Sequence, residues 1–281
     1  MRFFLFLALA AHAHALSIAG YGPVLHDRFV AGPLPNTTPS FIGAGYDFSG
    51  VGWNPAYPEQ SFAMISDRFF LYAEHYAPSA QISFFSPTLN SVVTANISNT
   101  TFRASSTTLG LPGDLAVGML TAPLSPALGI ASYPILKLPA FSAYTALHML
   151  IYGHGAAGVN PRIGTNTFDG VVALDLSGDT IPDDQTIAFS DSGTPTGEAF
   201  LIPGDSGSPS FVAWNGELAV VGTHTATYYV NSIPTSFDTF VPDYLDSLTA
   251  HGIPYRVVPE PTTAALTLLA LGLLGARRRR A

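Results

Sequence analysis

Ser206 stands between two glycines in Gly204-Asp205-Ser206-Gly207-Ser208-Pro209, with an aspartate immediately before it. Serine is a weak nucleophile until a base takes its proton and donors stabilise the resulting oxyanion. Flanking glycines let the backbone turn tightly and aim its N–H groups at one point. The hexapeptide therefore reads as a nucleophile turn, and it requires a histidine base and an orienting carboxylate elsewhere in the chain.

His75 is the candidate base. His12 and His14 fall in a leader-like segment, and His26, His154 and His251 sit in or beside predicted turns. His75 instead ends a pair of apolar runs, 62–65 and 69–72, that lead into Ala73-Glu74-His75. Asp114 heads the apolar run Asp114-Leu115-Ala116-Val117-Gly118-Met119-Leu120. An aspartate there is poised for partial burial, where it would accept a proton from imidazole. The chain order is histidine, aspartate, serine, which differs from other hydrolase orders.

The elements that must position these groups read as β structure. Runs such as 81–85, 91–95, 148–152, 170–174 and 218–222 are rich in β-branched and aromatic residues. Gly, Pro, Asn, Ser and Asp clusters separate them, which predicts an all-β sandwich or barrel. Helical spacing appears only at Val241, Tyr244, Leu245 and Leu248, with Pro242 near the start and Gly252 past the end. Residues 123–140, with four prolines, read as a crossing between two β halves.

The 281 residues are 47% hydrophobic and 11% charged, enough for one large β domain or two small ones with real cores. There is no cysteine, so neither disulfides nor thiolate metal sites contribute. No cofactor or metal is expected. The acidic run Asp175, Asp179, Asp183 and Asp184 does not have the spacing of an EF-hand loop and reads as a solvated loop. Five of the 11 basic residues are Arg2 and Arg277 to Arg280. The body between keeps six against 19 acidic residues, a net charge of −13. Such a body repels phosphate backbones, which excludes nucleic acid as an expected partner.

Both ends read as processing signals. Residues 1–15 carry one positive charge, a short apolar run and Ala13-His14-Ala15, the pattern of a secretory signal peptide. The C-terminus reads Val258-Pro259-Glu260-Pro261, an apolar run Thr262 to Ala276, then Arg277 to Arg280. The run is somewhat shorter than the ~20 residues of a full span, and the arginines would stay cytoplasmic. This tail (258–281) resembles the PEP-CTERM sorting signal of certain Gram-negative bacteria. The resemblance implies a transient inner-membrane association, recognition and cleavage by an exosortase-type enzyme, and delivery to the cell surface or beyond. The alternative is a plain C-terminal membrane anchor (a transmembrane helix); either way the body is exported. The sequons at Asn36, Asn96 and Asn99 carry no weight in such a source.

The body resembles the trypsin-like serine proteases over roughly residues 40–252, on Ala73-Glu74-His75, Asp114-Leu115-Ala116 and the Gly204 to Pro209 hexapeptide. Weaker echoes are Tyr152-Gly153-His154-Gly155 and Val220-Val221-Gly222-Thr223. The resemblance implies two packed six-stranded antiparallel β-barrels, at about 40–130 and 140–235, and a terminal helix at 240–251. It implies that Ser206 attacks a peptide carbonyl, that His75 takes its proton, and that Asp114 fixes the imidazole tautomer. The backbone N–H groups of Gly204 and Ser206 would form the oxyanion hole, and Asp205 would make a buried ion pair. In animal relatives the partner of that aspartate is a freshly cut N-terminus; here no Ile-Val-Gly-Gly-like activation site is visible.

The sequence also departs from the family's pattern. Glu74 stands where alanine is usual, and is expected to face water; Tyr76 replaces a common cysteine. Phe200, six residues before the serine, is expected to floor the primary pocket, which argues against Arg/Lys preference. His224 is either a contact for a substrate carboxylate, as in glutamate-specific relatives, or a barrel-wall histidine. Thr225 sits where a hydroxyl often bonds the catalytic aspartate. Two functions stay open: an exported serine endopeptidase acting through an acyl-enzyme, and an inactive binding protein on the same scaffold.

Overall fold

The computed structural model describes residues 16–154, 160–191 and 196–259. The leader 1–15, Gly155, and the apolar segment with its arginine cluster lie outside the described residues. Among the described residues, no helix is long and apolar enough to cross a membrane.

Six strands close into a barrel in the order β1-β2-β3-β6-β5-β4. They are β1 (Val51–Trp53), β2 (Ser61–Met64), β3 (Phe69–Ala73), β4 (Gln81–Ser86), β5 (Ser91–Ser105) and β6 (Pro112–Leu120). Trp53 pairs with Ser83 to close the ring. β3 shows why the sequence demands this. Successive side chains of a strand point to opposite faces. Phe70 and Tyr72 join Phe62, Met64, Ile82 and Phe84 inside the barrel. Leu71, between them, joins Val51, Ala63 and Val117 in a second core.

That second core is the seam between two halves, because it also holds Tyr152, Ile163, Phe211 and Val220. The second half contains β7 (Ile135–Lys137), β8 (His148–Gly153), β9 (Arg162–Thr167), β10 (Gly170–Leu174) and β11 (Asp184–Ser190). It continues with β12 (Pro209–Trp214), β13 (Glu217–Val230), β14 (Ile233–Phe240) and β15 (Val257–Pro259). Seven of these run β9-β8-β12-β13-β14-β11-β10, all antiparallel neighbours, around their own apolar core. The proline-rich crossing carries β7, which pairs in parallel with β13 and β15. With the path of seven this makes a nine-stranded sheet, three strands more than the expected six.

A turn of 3₁₀ helix, Val241–Tyr244, runs into α1 (Leu245–Ala250). Val241, Tyr244, Leu245 and Leu248, the residues at helical spacing, are buried, along with Pro242 and Asp243. Residues 16–50 strap the two halves. Their buried Arg28 donates to the carbonyls of Phe48 and Val51 and to the Tyr152 hydroxyl of β8.

Candidate active site

Three elements bring the chemistry together at the seam. β3 and β6 are antiparallel, and Ala73 pairs with Leu115. The end of one strand therefore lies level with the start of the other, so residues 39 apart in sequence become neighbours. His75 sits in the one-turn 3₁₀ helix Glu74–Tyr76 that follows β3. Its backbone N–H donates to Asp114 Oδ1 at 3.0 Å, and its Nδ1 lies 2.7 Å from Asp114 Oδ2.

Ser206 arrives from the second half, on the loop before β12. Gly204 and Gly207 both have positive φ (104° and 84°), which a side chain would strain. A Cβ on Gly207 would also press on Ala73 N and Ser61 O of the first barrel. The serine loop thus fits tightly against the strand that leads into His75. The result is a 2.9 Å contact between Ser206 Oγ and His75 Nε2. The N–H groups of Gly204 and Ser206 donate to no acceptor among the described residues.

Asp114 is almost fully buried, while the His75 side chain is 45% exposed. The Asp114 hydrogen bond, joined by the charges of Asp114 and Glu74, outweighs desolvation and holds His75 above the usual imidazole range. Glu74 itself faces water. Thr225 Oγ1 donates to Asp114 Oδ2. A bulge aims it there: the β13–β14 register shifts between His224 and Ala226, leaving Thr225 as the extra residue.

A cavity of about 140 Å³ adjoins Ser206, lined by Leu201, Ile202, Asp205, His224, Thr225, Ala226 and Thr227 among others. Two of the expected pocket residues, His224 and Thr225, are in this lining. Phe200 is not. It lies on the strand Ala199–Phe200, paired with Ser17–Ile18, so Leu201 and Ile202 take the wall in its place.

His224 also differs from a free carboxylate contact. It is buried, with Nδ1 2.6 Å from Asp238 Oδ1 and Nε2 2.7 Å from the Tyr152 carbonyl. A carbonyl only accepts, so Nε2 carries a proton. Burial works against a charge on His224, but Asp238, Asp205 and the carbonyl overcome it and raise its pKa. Both ring nitrogens are thus held by the chain itself. The sequence signal for this was Asp238, which pairs with His224 across β13 and β14.

A second cavity of about 340 Å³ lies on the other side of His75, lined by Glu74, Arg103, Asp114, Leu176, Ala226 and Tyr228 among others. The His75–Ser206 contact therefore sits between two concave surfaces. In the acidic loop, Asp175 and Asp183 accept neighbouring backbone N–H groups. Among the described residues no group of His, Asp and Glu side chains is placed to hold a metal ion.

Asp205 is buried, and its Oδ2 accepts from Ile202 N at 2.9 Å. Its other oxygen and the Leu16 side chain occupy the same space over Gly153, where a Cβ would overlap both. Leu16 itself is fully buried.

Comparison with known proteins bears on the fold and on the C-terminal tail. Solved structures of human heparin binding protein superpose at a TM-score of 0.52 and 14% identity, covering 75% of this chain and 94% of that one. An atomic-resolution structure of that protein gives 0.53 and 16% over the same shares, and a mutant of it gives 0.52 and 16% over 80% and 96%. Identity this low establishes the fold alone. No curated protein sequence matches the chain. Residues 257–280 match the PEP-CTERM protein-sorting motif, which marks an exported protein sorted to the cell envelope or surface. The chain therefore has the two-barrel chymotrypsin fold, and it ends in a PEP-CTERM sorting motif.

Proposed function

We propose that this protein is an exported serine endopeptidase, in which Ser206 attacks a peptide carbonyl, His75 relays the proton and Asp114 orients the imidazole. The observation that carries the reading is the continuous hydrogen-bonded path Asp114–His75–Ser206, open to solvent at the serine end. Asp114 is an acceptor for Nδ1–H, which leaves Nε2 free of its proton and facing the hydroxyl. The unengaged N–H groups of Gly204 and Ser206 would receive the oxyanion. A fluorophosphonate probe tests this. Labelling of the mature protein that vanishes in Ser206→Ala supports it, and a folded protein that never labels counts against it.

The name of the structural neighbours does not carry over to this chain. Heparin is a polyanion, and the body here has a net charge of −13. The exosortase-type enzyme remains the proposed partner of the tail, with transient anchoring in the inner membrane before release.

The pocket points to a small neutral side chain at the cleaved residue. Its volume is modest, and its ionisable members, His224 and Asp205, are held by other groups of the chain. Peptide libraries are expected to show cleavage after residues such as Ala, Val or Thr, with no enrichment for Glu, Asp, Arg or Lys.

The acid limb of activity follows from His75. Only neutral imidazole accepts the serine proton, and the group lies above its usual 6.5. As pH falls through the raised pKa, kcat/KM is expected to drop, with an inflection above 6.5. Activity undiminished to pH 6 would contradict this assignment.

Signal-peptide removal after Ala15 would create an ammonium on Leu16, the residue whose side chain lies with Asp205 Oδ1 over Gly153. By the family resemblance, that ammonium is the ion-pair partner that shapes the serine loop, so export and activation become one cleavage. A body carrying extra residues before Leu16 is expected to lose about 100-fold or more in labelling rate, in line with the loss of a buried ion-pair partner. Equal rates with and without the extension would show that Leu16 plays no such part.

A further inference from the structure

We propose that Asp184, on β11 of the second half, is a positioning residue for Asp114 of the first. The inference rests on the endopeptidase reading for its catalytic consequence, but its geometry stands apart from that reading. Asp184 is completely buried and forms no ion pair among the described residues. Its carboxylate accepts from the Tyr244 hydroxyl on one oxygen and from Thr239 Oγ1 at 2.6 Å on the other. The backbone N–H of Asp114 also favours the charged form of this carboxylate. At Gly113 the approach is so close that a Cβ would overlap Tyr244 Oη and Asp184 Oδ1.

A buried carboxylate without a cation is costly, and a hydrophobic residue would serve packing better. What the carboxylate does here is specific. Thr225 grips the Asp114 side chain, and Asp184 packs against the backbone at Gly113, the residue before it. Both come from the second half, so the acid that orients His75 is bonded across the seam at its side chain and closely packed there at the backbone just before it. Asp114 needs this because its strand begins at Pro112, with little ladder upstream to hold it.

Titration agrees with that placement. Burial, opposed by the Thr239 and Tyr244 hydrogen bonds and aided by the charge of Asp114, pushes Asp184 up to about 7. The titratable groups that face it are Asp114 from β6 and Tyr244 from the 3₁₀ turn. Asp243 turns to Ser106 and Thr108, Asp183 turns to the N–H groups of Leu176 and Ser177, and Arg103 caps the Gly113 carbonyl. The unfolded carboxyl ionises near 3.8. Between these values the folded state binds the extra proton, so stability falls as pH rises from about 4 through about 7. A side chain that weakens the fold at neutral pH is placed for another role.

The experiment compares wild type with Asp184→Asn by two readouts. The first is proton NMR of His75, both its titration and its Nδ1–H resonance, which needs no catalysis. The second is kcat and KM on a cleaved peptide. Asp184→Asn is expected to lower the His75 pKa toward its usual value, broaden the Nδ1–H signal, and reduce kcat about tenfold with KM nearly unchanged. Thr239→Val removes one support of the carboxylate and is expected to shift His75 the same way by less; it serves if Asp184→Asn does not fold. An unchanged His75 titration in a folded variant overturns the proposal. If wild type labels with fluorophosphonate and Asp184→Asn leaves the His75 titration unchanged, the positioning role alone fails. If wild type never labels yet Asp184→Asn shifts the His75 titration, the endopeptidase reading alone fails.

Discussion

Ser206→Ala is expected to remove essentially all turnover, roughly a million-fold in kcat, while leaving the fold and the pocket intact. The hydroxyl is the only nucleophile on the hydrogen-bonded path, and His75 Nε2 has no other partner on that path to deprotonate. Members of such a unit act together, so losing the serine alone costs about as much as losing the whole set. What survives is binding and the two backbone donors, which retain a thousand-fold or so over water. The measurement is a progress curve on a peptide with a small neutral residue before the cut, at equal protein concentration. Near-wild-type turnover in a folded Ser206→Ala protein would move the chemistry elsewhere and remove the mechanism. KM is expected to change little, because alanine deletes one exposed oxygen and leaves the lining from Leu201 to Thr227 in place.

Asp114→Asn is expected to cost about 10⁴-fold in kcat, although it is nearly isosteric. The reason is the proton inventory. Asp114 accepts three bonds, from His75 N–H, His75 Nδ1 and Thr225 Oγ1. An amide replaces one acceptor oxygen with a donor. If that donor meets Nδ1, the imidazole takes the other tautomer, its proton sits on Nε2, and it can no longer accept from Ser206. If the amide turns the other way, it confronts the peptide N–H of His75. Thr225 can rotate its hydroxyl to adapt; neither the backbone N–H nor the ring can. The check is kcat against pH for both proteins. Recovery of rate at high pH, where hydroxide replaces the lost base, fits the tautomer account. A loss of only a few-fold would mean that Asp114 is structural.

Part of this site was legible along the chain. His75, Asp114 and Ser206 stand in sequence beside signals that act locally: apolar alternation that makes β3 and β6, and glycines that make the serine turn. The terminal helix was legible for the same reason, since Val241, Tyr244, Leu245 and Leu248 repeat at one face. Strand β7 was not. Its partners, Val220 and the residues from 257, are far along the chain, and no local pattern reports a parallel pairing of three residues.

The pocket was the least legible part, because counting back from the serine assumes a loop of standard length. Phe200 fell onto a strand paired with Ser17 instead of into the cavity. His224 looked available until the fold put Asp238 on one nitrogen and the Tyr152 carbonyl on the other. Asp184 read as one more acid in a solvated run, although it is the one member of that run that the fold buries completely.

The residue types by themselves determined which chemistry was possible, that the body is acidic and β-rich, and that its two ends resemble export and sorting signals. Those properties are carried by composition, short-range alternation and local motifs. Only the tertiary structure decided which groups meet. The 2.9 Å contact of His75 with Ser206, the grip of Thr225 on Asp114, the close approach of Asp184 to Gly113, and the placement of Leu16 and Asp205 over Gly153 all join distant stretches of the chain. They are set by how two barrels pack on one apolar seam, and packing of that kind depends on shape in three dimensions, which no spacing along the chain encodes.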